Sequence, residues 1–293
     1  MKIRIAFAIL IASALWAQAP ASKEVEVFGQ KIHYVEAGAG PTVILLHGLG
    51  GDGTNWALNT PVLAKNFHVF VPDQIGFGES PKPLINYRVA TLVDFLDGFC
   101  KKLAITKATL VGNSLGGWTA IAFTLEHPDK VERLVLVDSA GYSLSRTGVP
   151  ASRETLMALD PTTVAGTKIF MQTILANKAM VTDAFAESAF AAHLRKNDGY
   201  TIDRFIDSIL RNEDVVDGKL GAIKVPTLVV WGREDGLIPL AAGELMAKEI
   251  PGSAAVILDH CGHVPQLECA LPFNAALLKF LNGGAQPSST GSR

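Results

Sequence analysis

The chain predicts an α/β fold with a mostly parallel central sheet flanked by helices, and three features carry that expectation. Short apolar runs rich in Val, Leu and Ile recur without polar alternation, as strands buried on both faces require. Segments of helical length separate them, so successive strands are joined by crossovers and pair in parallel. One interval, Tyr142 to Lys219, breaks the rhythm with helical patterns alone.

Taken in order, the opening stretch MKIRIAFAILIASALWAQAPA stands apart from the fold. Lys2 and Arg4 precede an apolar segment from Ile5 to Ala17, and small residues follow at Ala19 and Ala21. That layout predicts an export signal over 1–21, too short to favour a membrane span. The mature chain is then expected to be periplasmic or extracellular, without stable membrane insertion.

Next, EVEVFGQKIHYVEAG alternates around a turn at Phe28–Gln30 and predicts a hairpin. The runs TVILLHG, HVFVPDQIG, ATLVGNS, RLVLVDSAG, TLVVWGRED and AAVILDH are the buried strands, with helices such as RVATLVDFLDGFCKKL between them. In the strandless interval, Ile202, Phe205, Ile206, Ile209 and Leu210 share one helical face. A helical lid over 142–219, inserted after the sixth core strand, follows. The core then spans 22–141 and 220–282, and the Gly/Ser/Pro-rich 283–293 forms a flexible tail.

Composition limits the partners. Hydrophobic residues at 48% against 18% charged supply a large core. A net charge of −2 gives no electrostatic reason to expect nucleic acid or an acidic membrane. No Cys/His spacing suggests zinc, and no metal or organic cofactor is expected. Cys100, Cys261 and Cys269 allow at most one internal pair; Cys261 and Cys269 are near enough, yet buried free thiols are the expectation.

Chemistry gathers at the strand ends. Gly112-Asn113-Ser114-Leu115-Gly116 matches G-x-S-x-G, a sharp strand-to-helix turn whose glycines let the chain double back under an exposed serine hydroxyl. Serine needs a base, and His263 lies just after the last strand in DHCGHVPQLE, with His260 its rival. The base needs a carboxylate, and Asp235 follows the next-to-last strand, with Glu234 and Asp138 as competitors. His47, in HGLGGDG after an early strand, is expected to orient that loop. The backbone N–H groups of Leu49 and Leu115 are the expected oxyanion donors.

With these residues assembled, the chain resembles the α/β-hydrolase fold superfamily from about Lys23 to Leu281. HGLGG, DQIGFGES, GNSLGG, GREDGLIP and GHVPQLE carry the resemblance, in that order. It implies a Ser114–His263–Asp235 triad and a lid over the substrate pocket. GNSLGG, Asn55 and Trp56 also resemble the meta-cleavage-product hydrolases, which break carbon–carbon bonds. Those enzymes usually carry Trp after the catalytic histidine and Gly-Pro in the oxyanion loop, where this chain has Val264 and HGLGGDG. The expectation drawn from these differences is a serine esterase or lipase acting on a small-molecule ester of short to medium acyl chain. Carbon–carbon hydrolysis is the alternative, and a non-catalytic ligand-binding member of the fold a third reading.

Overall fold

The computed structural model describes residues 20–150 and 152–283. The expected export signal, apart from its last two residues, and the tail from 284 onward lie outside the described residues. No helix among those described is long and apolar enough to cross a membrane.

Eight strands form one sheet: β1 (Ala21–Val27), β2 (Gln30–Ala37), β3 (Thr42–Leu46), β4 (His68–Pro72), β5 (Ala108–Asn113), β6 (Val131–Val137), β7 (Thr227–Gly232) and β8 (Ala254–Leu258). Their spatial order is β1-β2-β4-β3-β5-β6-β7-β8, antiparallel from β1 to β4 and parallel beyond. The β1–β2 hairpin turns at Phe28 and Gly29, both with positive φ (49° and 73°), as a tight turn matching strand twist demands.

Side chains alternate across the sheet with period two, so each parallel strand feeds two cores. Ile44, Leu46, Leu110 and Leu136 face one layer, where Leu96, Phe99 and Trp118 pack. These come from helices α2 (Val89–Lys102) and α3 (Leu115–Glu126). Val43, Leu45, Val111 and Val135 face the other, with Leu63 of α1 (Thr60–Leu63) and Phe273 and Leu277 of α11 (Ala270–Leu281). Burial on both faces explains why these strands read as unbroken apolar runs.

Between β6 and β7 the described residues contain helices and no strand: α4 (Leu144–Thr147), α5 (Arg153–Leu156), α6 (Val164–Ile174), α7 (Asp183–Lys196) and α8 (Gly199–Leu210). Side-chain oxygens cap three of them, with Ser152, Thr163 and Thr182 each accepting a first-turn N–H. The apolar face of α8 buries Ile202, Phe205 and Ile206, and Phe205 stacks on Phe77 of the loop after β4. That contact seats the insertion on the core. After β7 come α9 (Leu240–Glu249), β8 and the short α10 (Pro265–Glu268).

The expectation of free thiols at Cys261 and Cys269 is corrected: the two form a disulfide, with Cα atoms 6.0 Å apart. The turn from β8 into α10 brings both ends of the loop together, which spacing alone could not decide. Cys100 is a buried free thiol, and burial pushes its pKa up to about 12, too high for a reactive thiolate.

Candidate active site

Ser114 joins β5 to α3 with φ 54° and ψ −118°, a conformation side-chain-bearing residues rarely adopt. The flanking glycines are demanded by close approach. A Cβ on Gly112 would lie 2.2 Å from Gly116 O, and one on Gly116 would lie 2.2 Å from Leu46 O. The α3 N-terminus is thereby pressed against the end of β3, and the loop after β3 meets the serine: a Cβ on Gly48 would stand 3.2 Å from Ser114 Cβ. Leu115 begins α3, so its N–H has no intrahelical partner. Leu49 and Leu115 both line the cavity beside Ser114.

His47 is buried and held neutral, chiefly by burial. Its Nε2 accepts from Gln74 N at 3.0 Å, and its Nδ1 donates to Gly48 O at 2.8 Å. One tautomer satisfies both contacts, and the ring thereby braces the loop. Asn55 does the same work from the other end, accepting the Asp52 N–H at 3.1 Å.

His263 and Asp235 meet as the chain order suggests, Nδ1 to Oδ2 at 2.8 Å, both buried. Burial alone would raise the Asp235 pKa. The His263 ring beside it and the N–H groups of Ile238 and Leu237 outweigh burial and hold it below the usual carboxylate range. Ser114 and His263 share the cavity wall, without a hydrogen bond between them among the described residues. Catalytic contacts of this type commonly tighten only when substrate binds. Of the rivals, Glu234 accepts the Cys261 N–H and His260 lies off the cavity lining, whereas Asp138 lies against the buried pair.

Asp138, Asp235 and His263 each place a donor atom within 4.8 Å of the others, the one grouping among the described residues dense enough to suggest a metal site. His263 and Asp235 already satisfy one another, so the set suits a shared proton better than a cation.

Three supports fasten the loops around the site. Asn113 donates to His263 O at 3.0 Å and to Val137 O at 3.1 Å, tying the histidine loop to the serine turn. Glu268 accepts from Gly262 N (2.8 Å), Ala176 N (3.1 Å) and Asn177 N (2.8 Å), fastening that loop to the end of α6. His263 N adds a bond to Ile174 O at 2.7 Å. Apart from the Glu268–Gly262 bond, they join residues far apart in sequence, so only Asn113 and Glu268, lying inside recognisable motifs, offered a hint.

The cavity holds about 280 Å3 above Ser114. Leu156, Leu159, Phe170, Met171 and Ile174 of the insertion roof it, and Val264 and Ile238 wall the core side. Phe205, by contrast, packs on Phe77 and Tyr87, and Phe185 is partly exposed on the outer surface. Lys196 is the one lysine or arginine on the described lining.

The family model for the alpha/beta hydrolase fold matches residues 41–199 and 209–270. The chain belongs to that family. This hydrolase is 31% identical, over 88% of its own length and 93% of the relative's, to 2-hydroxymuconate semialdehyde hydrolase from Pseudomonas sp. (strain CF600). It is 32% identical to 2-hydroxy-6-oxononadienedioate/2-hydroxy-6-oxononatrienedioate hydrolase of Escherichia coli (strain K12), over 86% and 91% of the two chains. Among solved structures it resembles a meta-cleavage product hydrolase from Pseudomonas fluorescens IP01, with TM-score 0.79, 28% identity and 90% and 98% coverage.

These relatives overturn the expectation of a carboxylic-ester hydrolase, since they are hydrolases of meta-cleavage products matched along nearly the whole chain. The error has a physical origin. A serine, its base and an oxyanion site serve either bond, so Val264 and the proline-free loop were weak grounds for choosing between them.

Proposed function

We propose that this hydrolase cleaves a carbon–carbon bond beside a ketone in an unsaturated keto acid of the meta-cleavage-product class. The observation that carries the reading is near full-length similarity to hydrolases of such dienoates, joined to a serine–histidine–aspartate arrangement under an apolar roof. A 2-hydroxy-6-oxo-dienoate is the enol of a diketone, and its ketonised form can accept an electron pair along the conjugated chain.

Ser114 Oγ adds to the remote ketone carbon while His263 takes its proton, and Asp235 stabilises the imidazolium. The N–H groups of Leu49 and Leu115 hold the oxyanion. Collapse breaks the bond to the neighbouring carbon, whose electron pair runs back to the second carbonyl, and His263 returns the proton there. Water, deprotonated by His263, then frees the acyl group from Ser114 as a carboxylic acid. No step in this sequence calls for a metal or organic cofactor. The apolar roof suits the unsaturated chain.

The test is a dienoate assay following loss of its conjugated absorbance, beside a p-nitrophenyl ester series. The expected result is a kcat/KM for the dienoate at least about 100-fold above the best ester. Absence of dienoate turnover by a protein whose Ser114 reacts with a fluorophosphonate would overturn the reading.

A further inference from the structure

Asp138 sits at the end of β6, fully buried, with φ 42°. Its backbone N–H donates to Val230 O at 3.0 Å, and its Oδ1 accepts from Gly232 N at 2.9 Å. Its Oδ2 has no donor among the described residues. Yet the carboxyl lies against Asp235, within 4.8 Å of both that residue's carboxylate and a ring nitrogen of His263.

Two carboxylates this close in a dry pocket cannot both stay ionised, because like charges at this range repel strongly. Asp235 is the one its surroundings keep ionised: His263 and two backbone N–H groups serve it, whereas Asp138 accepts a single N–H. The proton therefore resides on Asp138. Burial, and then the neighbouring Asp235 charge, push its pKa well above the usual range, in agreement with that assignment.

We infer that Asp138 is a reserve acid: a neutral carboxylic acid whose Oδ2–H donates to Asp235, positioned to ionise and orient His263 when Asp235 loses its charge. The proton balance is simple. In the intact site Asp138 keeps its proton and Asp235 carries the charge. In Asp235→Asn, no second anion opposes ionisation, so Asp138 releases its proton to solvent and its carboxylate accepts the His263 N–H. Asp138 is thus a positioning residue, acting through the triad rather than on substrate.

The experiment measures the rate of fluorophosphonate labelling of Ser114, with circular dichroism spectra to confirm folding. This readout depends on the serine and its base and not on which bond the enzyme cleaves, so it stands apart from the substrate assignment. Asp138→Asn preserves shape, an acceptor for Gly232 and a donor for Asp235, and serves as the single-variant reference for the double variant. Asp235→Asn should fall by about 100-fold, short of the roughly 10,000-fold loss that removal of the acid causes in a triad without a substitute. The double variant should show that full loss. In Asp235→Asn the pH profile of labelling should gain a second titration beside that of His263, and that second step should be lost when Asp138→Asn is added, a change a purely structural aspartate would not cause. A full loss in Asp235→Asn alone, or a double variant no slower than it, overturns the inference.

Discussion

Lys196, the last residue of α7, donates to Gly50 O at 2.7 Å and pairs with Asp52 Oδ2 at 2.9 Å. One side chain thus ties the helical insertion to the loop that approaches Ser114. Burial would raise the Asp52 pKa, but Lys196 and Thr54 prevail and lower it to about 2. A carboxylate with a lowered pKa stabilises the fold above its unfolded value, near 3.8, and the contribution fades as pH falls from there through about 2. Lys196→Met should cost about 1 kcal/mol at pH 7. By freeing the loop beside Ser114 it should also raise KM severalfold. Thermal melts at pH 7 and 2, with steady-state kinetics, check both.

Strain at Ser114 predicts that its two small replacements behave differently. Alanine keeps the Cβ that makes φ 54° costly, so Ser114→Ala should be inactive with unchanged stability. Glycine relieves the strain, and Ser114→Gly should be equally inactive yet more stable by about 1 kcal/mol. Denaturant titration of both variants separates these outcomes.

Gly116 has no room for a methyl group, since a Cβ would lie 2.2 Å from Leu46 O and 2.6 Å from His47 O, both backbone atoms. Gly116→Ala should destabilise the fold by about 3 kcal/mol. Gly221→Ala, where no atom lies within 4 Å of the added carbon, should stay within about 0.5 kcal/mol of the native protein. Urea midpoints of the pair measure the contrast.

His193 of α7 bonds to Asp160 at 2.9 Å, and that partner raises its pKa against the opposing effect of burial. A histidine with a raised pKa stabilises the fold fully below its unfolded value, about 6.5, and the contribution is lost as pH rises through the folded value. His193→Gln should therefore be less stable than native at pH 5.5 and nearly equal to it at pH 9. Melting temperatures across that range report the difference; a gap that widens with rising pH would contradict the assignment.

The cysteines and the cleaved bond escaped the sequence for related reasons. Whether Cys261 and Cys269 pair depends on the path between β8 and α10, which the eight-residue separation leaves open. The bond depends on what the cavity holds, and its roof draws on Leu156 of α5 and on Phe170 and Ile174 of α6. Among the insertion's large apolar residues, Phe170 lines the cavity while Phe205 seats the insertion, and helical periodicity marks both simply as apolar.

The sequence by itself determined the α/β architecture, because burial on both sheet faces writes continuous apolar runs and tight turns select glycine. It also placed Ser114, Asp235 and His263 at strand ends, since those turns have local signatures. Only the tertiary structure decided that Asp138 presses against Asp235, that Lys196 reaches Gly50, and that Glu268 binds the end of α6. Such contacts join chain segments tens of residues apart or more. Their distances follow from how helices seat on the sheet, and no local pattern of residue types encodes that packing.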